Sequence, residues 1–149
     1  MSLAKLGHAS LHRPGSSSNG ATVKQRDSAD FLVNGESLLA RLVATHGGHD
    51  DYMGCFVHGF PDAAKETLGE LLVEETGAKC RVGIYIFPEC GDIGCGRFSV
   101  MVERHGGELV WSEFMYENGY EDPWTLEELG PFRFDASQYE NAIREAAKI

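Results

Sequence analysis

The clearest hairpin signal in the chain is residues 97–116, which read RFSVMVERHGGELVWSEFMY. Apolar and polar residues alternate on both sides of its central glycine pair. This two-residue alternation is typical of strands that are buried on one face. We predict an antiparallel hairpin whose three-residue connection is 105–107. This register sets Arg104 opposite Glu108, which is a favourable cross-strand pair. A two-residue turn, which would set Arg104 opposite Leu109, is the less favoured alternative.

The flanking segments extend this hairpin into an α+β fold. The apolar run at 82–87 indicates a central strand that is covered on both faces. Leucines at helical spacing predict a helix over 36–45, and Pro61 and Gly77 suit the two ends of a second helix. Asp135, followed three residues later by a glutamine, resembles a capping box that begins a third helix. We therefore predict a mostly antiparallel sheet of about five strands, with three helices on one face.

Length and composition indicate one folded domain behind a short leader. The chain has 149 residues, of which 42% are hydrophobic, and this suffices for a single core. Residues 14–20, which read PGSSSNG, have the composition of a flexible linker. We therefore expect residues 1–28 to be a flexible leader and residues 29–149 to form one α+β domain.

The charge of the chain disfavours some partners and favours others. Acidic residues outnumber basic ones by 23 to 13, and residues 103–128 contain eight acidic residues against one arginine. Residues 1–30 hold four basic and two acidic residues, so their net charge of +2 leaves −12 on the rest of the chain. Because an acidic surface repels phosphate, a nucleic-acid partner is disfavoured, whereas a basic protein partner would be attracted.

Neither a membrane span nor a secretory signal is evident in the sequence. No run approaches the ~18 apolar residues of a membrane helix, and residues 1–20 lack a continuous apolar core. We expect a cytoplasmic protein with no membrane partner, whose thiols stay reduced. Cys55 and Cys80 lie in apolar contexts and are expected to be buried and unreactive. The sequence leaves a homo-oligomer open.

The loop 88–96, which reads PECGDIGCG, has three interpretations. Cys90 and Cys95 could form a redox-active disulfide. They could instead bind zinc, with His46 and His49 completing a Cys2His2 set. The third interpretation is a tight structural turn, which needs the glycines but no cofactor. We favour the turn, because the spacing matches neither thioredoxin-like chemistry nor paired zinc ligands, and acidic neighbours disfavour a thiolate.

The segment 111–124, which reads WSEFMYENGYEDPW, mixes aromatic rings with carboxylates as it leaves the predicted hairpin. Such mixtures are typical of recognition surfaces, in which aromatic residues are the anchors. The alternative is that the rings pack over the sheet edge while the carboxylates point outward. The candidate contact residues are Trp111, Tyr116, Glu117, Asn118, Tyr120, Glu121 and Trp124.

Three motifs together resemble a family of small uncharacterised bacterial proteins. They are the PECGDIGCG loop, the YENGYE run at 116–121 and the GPFRFD run at 130–135. The resemblance implies that the cysteine loop and the YENGYE segment belong to one domain. Some members of the family carry an oxidoreductase label, but this chain has no dinucleotide fingerprint, P-loop or Gly-x-Ser-x-Gly motif.

The leading hypothesis is a non-enzymatic binding module that needs no cofactor and uses the aromatic, acidic segment to contact a basic protein. The alternative is a thiol-redox or zinc-binding protein that uses Cys90 and Cys95. An enzymatic role is disfavoured, because the sequence carries none of the catalytic motifs named above.

Overall fold

The computed structural model combines helices with mostly antiparallel strands, which confirms the predicted α+β class. The structure describes residues 3–13, 16–18, 21–23, 26–46, 52–57, 61–86, 96–117, 122 and 124–148. Within these ranges the helices are α1 (Leu38–His46), α2 (Pro61–Leu72) and α3 (Ala136–Ala146). The strands are β1 (Leu6–Arg13), β2 (Ser16–Ser18), β3 (Ala21–Val23), β4 (Arg26–Val33), β5 (Glu36–Ser37), β6 (Met53–Gly54), β7 (Lys79–Ile86), β8 (Arg97–His105), β9 (Glu108–Glu117), β10 (Trp124–Thr125) and β11 (Phe132–Asp135). None of these helices has the length and apolarity that crossing a membrane requires.

The central hairpin, β8 with β9, has a two-residue connection rather than the predicted three-residue one. His105 pairs with Glu108 and Arg104 pairs with Leu109. Gly106 has a positive φ of 59°, which such turns require. The predicted pairing of Arg104 with Glu108 is therefore wrong. The reason is tertiary, because Arg104 is buried and its guanidinium is hydrogen-bonded to the end of α2.

A β-bulge at Glu113 determines which residues of β9 enter the core. The β8–β9 register shifts between Ser99 and Met101, and Glu113 has a positive φ of 50°. Regular alternation would put Trp111 and Phe114 on opposite faces, because an odd number of positions separates them. The extra residue lets both rings be fully buried, while Glu113 itself stays exposed.

The described strands form three sheets, of which the two larger ones join at both edges, while β2 pairs with β3 in a separate two-stranded sheet. The six-stranded sheet has the order β10-β9-β8-β7-β6, with β11 also paired to β9, and the three-stranded sheet has the order β1-β4-β5. A bridge between Ser28 and Val57 links β4 to the residues after β6. A parallel bridge between Ala4 and Phe134 links the start of β1 to β11. The strands therefore enclose the core in a closed circuit, which is larger than the single sheet that the sequence predicts.

All three helices contact one face of the six-stranded sheet, as the sequence predicts. On this face the Phe98 ring contacts His46 of α1, with centroids 5.8 Å apart. Arg104 donates hydrogen bonds to backbone oxygens at the end of α2. Trp111 Nε1 donates to the hydroxyl of Tyr139 in α3 at 3.0 Å. Burial of these large rings between sheet and helices supplies much of the apolar stabilisation.

The first strand corrects the prediction of a flexible leader over residues 1–28. β1 pairs with β4 over its full length, beginning with Leu6 opposite Val33. Leu6 is buried, and the side chain of Gln138 in α3 hydrogen-bonds both its N–H and its carbonyl oxygen. A partner 132 positions away thus orders a segment whose composition alone indicates flexibility.

Candidate functional site

Trp124, the first residue of β10, is the most exposed large apolar residue in the described part of the chain. It is 57% exposed. β10 pairs with the end of β9, where Trp124 lies opposite Tyr116. The His46 ring lies 4.3 Å from the Tyr116 ring and 4.9 Å from the Trp124 ring, between centroids. One side of the indole is therefore held in place while the rest faces solvent, a geometry that suits an aromatic anchor.

Two grooves flank the segment that follows Trp124. The first has a volume of about 270 Å³ and is lined by Thr45, Trp124, Thr125, Leu126, Glu127 and Glu128. The second has a volume of about 230 Å³, and its lining includes Ser112, Glu113, Thr125, Glu127 and Pro131. Both are smaller than the ~300–1,000 Å³ typical of small-molecule pockets, so they suit single side chains of a partner. Trp124 and these two grooves are called the Trp124 surface below.

The linings of both grooves are acidic. Their carboxylates belong to Glu113, Glu127 and Glu128, which are all exposed residues, and no described residue that lines either groove is a lysine or arginine. The first groove also includes Thr45 in the last turn of α1, where the helix dipole adds partial negative charge. The Trp124 surface therefore favours cationic groups and repels phosphate.

Glu113 reaches this surface because of the β-bulge. A non-glycine residue with φ of 50° costs roughly 1–2 kcal/mol relative to ordinary backbone. On the other side of the groove, a Cβ atom at Gly130 would lie 3.1 Å from the Phe114 ring, so the backbone there passes close to β9. Strained positions concentrate at functional sites, and this one places Glu113 beside the second groove.

The prediction that Trp111 contacts a partner is wrong. Trp111 is fully buried, and its ring packs edge-on against Phe31 and Phe134, each with centroids 5.5 Å apart. Its indole N–H donates to Tyr139. Because β9 turns this position toward the core, the ring that the sequence groups with Trp124 belongs to the interior instead.

The other predicted contact residues differ in their burial and in their partners. Tyr116 is half-buried against His46. The Glu117 carboxylate pairs with Arg97 at 2.7 Å and its side chain is 11% exposed, so its charge is neutralised within the fold. The remaining three, Asn118, Tyr120 and Glu121, lie outside the described residues.

The candidate contact residues predicted from the sequence do not include the three carboxylates that border the grooves, namely Glu113, Glu127 and Glu128. They lie within the acidic region 103–128, but the bulge in β9 and the pairing of β10 are what bring them near Trp124. A sequence signal for them exists, because residues 105–132 contain no lysine or arginine at all.

The ligands of the zinc alternative are not brought together by the described residues. His46 lies in the aromatic cluster with Tyr116, whereas Cys90, Cys95 and His49 lie outside the described ranges. Within those ranges, no group of three or more histidine, cysteine, aspartate or glutamate side chains is placed to hold a metal ion. The zinc and redox interpretations of Cys90 and Cys95 therefore stay predictions.

The two described cysteines have surroundings that disfavour reactivity. Cys55 is buried, and desolvation raises the pKa of its thiol from 9.0 to about 12. Cys80 is half-buried, and desolvation together with the charge of Glu70 raises the pKa of its thiol as well. Both shifts disfavour the thiolate, which is the nucleophilic form. The predicted burial is thus confirmed for Cys55 and only partly met by Cys80.

A buried polar network around Asp30 is satisfied internally. The Asp30 carboxylate accepts hydrogen bonds from the Tyr85 hydroxyl and from the Ser37 hydroxyl, the latter at 2.6 Å. The Tyr85 hydroxyl also accepts a hydrogen bond from the Phe31 N–H at 3.0 Å. Desolvation, reinforced by the charge of Asp30, raises the pKa of Tyr85 well above its ordinary value. The network ties β4 to β7, and we assign it a structural role.

The Trp124 surface is therefore the candidate site that the described residues support best. It combines an exposed ring, grooves of side-chain size and three carboxylates, an arrangement suited to binding a cationic segment. No protein-family model, curated protein or solved structure matches the chain, so the geometry of this surface is what bears on function.

Proposed function

We propose that the protein is a binding module whose Trp124 surface contacts a basic segment of a partner protein. The observation that carries the proposal is the 57% exposure of Trp124 beside grooves lined by Glu113, Glu127 and Glu128. Tryptophan is among the residues that dominate binding energy at interfaces, because a partner removes a large apolar surface from water. The carboxylates around it would then determine which partners are accepted.

The charge of the surface supports a partner rich in lysine or arginine. The aliphatic stem of either side chain can lie along the indole, while its cationic head meets a carboxylate or the face of the ring. The net charge of −10 would steer such a partner toward the protein at low ionic strength. The same charge opposes nucleic acid. A cytoplasmic location is part of this proposal.

A synthetic peptide that contains lysine, arginine and leucine tests the proposal by isothermal titration calorimetry. We expect Trp124→Ala to weaken peptide binding by at least about tenfold, since an aromatic hot spot contributes about 2 kcal/mol or more. Leu3→Ala is the matched control, because Leu3 is the other exposed large apolar residue in the described ranges, at 45%. This control should bind like the wild type.

Equal affinities of the two variants would contradict the proposal, as would a wild-type protein that does not bind the basic peptide at low salt. The double variant Glu127→Gln/Glu128→Gln isolates the contribution of charge. It should retain the fold, weaken binding and reduce the dependence of affinity on salt concentration. A neutral peptide of the same length should bind weakly to every variant.

A further inference from the structure

We propose that the basic partner binds as an added β-strand along the outer edge of β10. The inference rests on the function proposed above and specifies how the Trp124 surface recognises its partner. The occupant is an extended segment of another protein, and it carries two adjacent basic residues. The backbone of β10 would supply the hydrogen bonds, and the two grooves would select the side chains.

The outer edge of β10 carries backbone groups that no described strand uses. β10 is the last strand of the six-stranded order, and among the described strands it pairs with β9 alone, with Thr125 opposite Met115. The next residue, Leu126, donates its N–H to the Phe114 carbonyl oxygen at 2.8 Å. Backbone groups of successive residues in a strand point to opposite edges, so the N–H and C=O of Thr125 point away from β9. Such outward groups are a template for another strand.

The two grooves lie on opposite faces of this edge. Trp124 lines the first groove and contacts His46, so this groove lies on the face that α1 covers. Ser112 lines the second groove, and it points away from the core because its neighbour Trp111 is buried. Successive side chains of an added strand also point to opposite faces. Two neighbouring residues of the partner would therefore enter one groove each.

The distribution of carboxylates argues for a basic residue at both positions. Glu128 lines the first groove, Glu113 lines the second, and Glu127 lies on the border of both. A helical partner fits less well, because a helix presents neighbouring cations three or four positions apart and has no free backbone groups for β10. A second copy of this chain also fits poorly, since its own Glu127 and Glu128 would meet like charges.

The sharpest test removes one outward backbone donor. Thr125→Pro eliminates the N–H that points away from β9, while every described hydrogen bond to β9 remains, and proline is tolerated at such edge positions. The probe is a short peptide in which a central Lys-Arg pair is flanked by threonine and valine. We expect Thr125→Pro to weaken its binding about tenfold, the effect of one lost hydrogen bond, and Thr125→Val, which changes the side chain in the grooves but keeps the N–H, to weaken it clearly less.

The peptide itself provides a test that leaves the protein unaltered. Every second backbone nitrogen of the added strand faces β10. N-methylation of the nitrogens that face β10 should abolish binding, whereas N-methylation of the nitrogens that face away from β10 should not. Separating the two basic residues by one position directs both toward the same groove. This rearranged peptide should bind more weakly than the original, although its composition is identical.

Each outcome bears on a different part of the proposal. Binding that depends on Trp124 but tolerates Thr125→Pro and both methylation patterns would overturn strand addition and leave the proposed function standing. A wild-type protein that binds no basic peptide would overturn both. Dimers of the wild type that dissociate in Thr125→Pro would assign the edge to a second copy, and they would overturn the partner proposed here.

Discussion

Arg104 shows how a single buried charge decides the register of two strands. Its guanidinium donates to the backbone oxygens of Leu72 and Val73, and it pairs with Glu140 at 2.8 Å. It thereby supplies donors at the C-terminal end of α2, where carbonyl groups lack helical partners. Pairing with Glu108, which the sequence favours, would leave these buried oxygens unsatisfied. That cost exceeds what an exposed ion pair contributes.

We expect Arg104→Met to lower the free energy of unfolding by about 2–3 kcal/mol, because two buried carbonyl oxygens lose their donor. Arg133→Met is the matched control. Arg133 pairs with Glu108 at the surface, so its loss should cost less than about 1 kcal/mol. Urea unfolding, followed by tryptophan fluorescence, measures both variants. Similar losses in the two variants would show that Arg104 has no special structural role.

The junction between strands β4 and β6 depends on the absence of a side chain at one position. A Cβ atom at Gly54 in β6 would lie 1.9 Å from the carbonyl oxygen of Ala29 in β4. The Gly54 N–H also donates to the Ser28 hydroxyl at 2.9 Å. The two sheets can therefore join only because glycine lets the two backbones approach this closely.

We expect Gly54→Ala to destabilise the protein by about 2–3 kcal/mol, since the backbone of β4 would have to move away. Gly69→Ala in α2 is the control, because a Cβ atom there meets nothing within 4 Å. It should stabilise the protein by up to about 1 kcal/mol through helix propensity. Thermal unfolding followed by circular dichroism gives both values. A melting temperature that Gly54→Ala leaves unchanged would contradict this account of the junction.

Elements with strong local signals could be predicted from the sequence, and those that depend on distant partners could not. The third helix begins as its capping pattern indicates, with the Asp135 carboxylate accepting a hydrogen bond from the Gln138 N–H at 3.1 Å. β1 could not be predicted from composition, because Gln138 and β4 hold it in place.

The candidate site, like the fold, could be predicted only where it depends on local sequence and not where it depends on tertiary contacts. An exposed aromatic ring in 111–124 could be predicted from composition, and Trp124 is such a ring, whereas its role as an anchor stays a proposal. Which rings are exposed depends on the bulge at Glu113, and a bulge leaves no pattern in composition. The two grooves arise from the path of residues 124–131 beside β9, which is a tertiary property.

The folded protein keeps several weak acids protonated because it buries them. Burial raises the pKa of the Cys55 thiol from 9.0 to about 12, and it raises the pKa values of Tyr85 and Tyr139 as well. In the unfolded chain these groups lose their protons at their ordinary pKa values. Their contribution to the free energy of unfolding is therefore fully present at a pH below their pKa values in the unfolded chain. It is lost as the pH rises toward their pKa values in the folded protein.

We expect the free energy of unfolding to fall as pH rises above 9, and Cys55→Ala to reduce that slope by up to about 1.4 kcal/mol per pH unit. The slope is the measured quantity, because the substitution also leaves a cavity that lowers stability at every pH. Cys80→Ala, at a half-buried site, should change the slope less. Urea unfolding at a series of pH values provides the data. Identical slopes for wild type and Cys55→Ala would contradict the prediction.

Closure of the strand circuit sets the order in which this chain can fold. The Ala4 N–H donates to the Arg133 carbonyl oxygen at 2.7 Å, and Leu6 bonds Gln138 across 132 positions. Contacts over such separations form late, because the entropy of closing the loop is lost before the contact stabilises anything. During synthesis, the hairpin of β1 and β4 is therefore made before its partners in the closed circuit. Until those partners are made, the edges of the sheet remain unpaired and exposed. The ring of strands is complete only once β11 has left the ribosome and can bond the segment before β1.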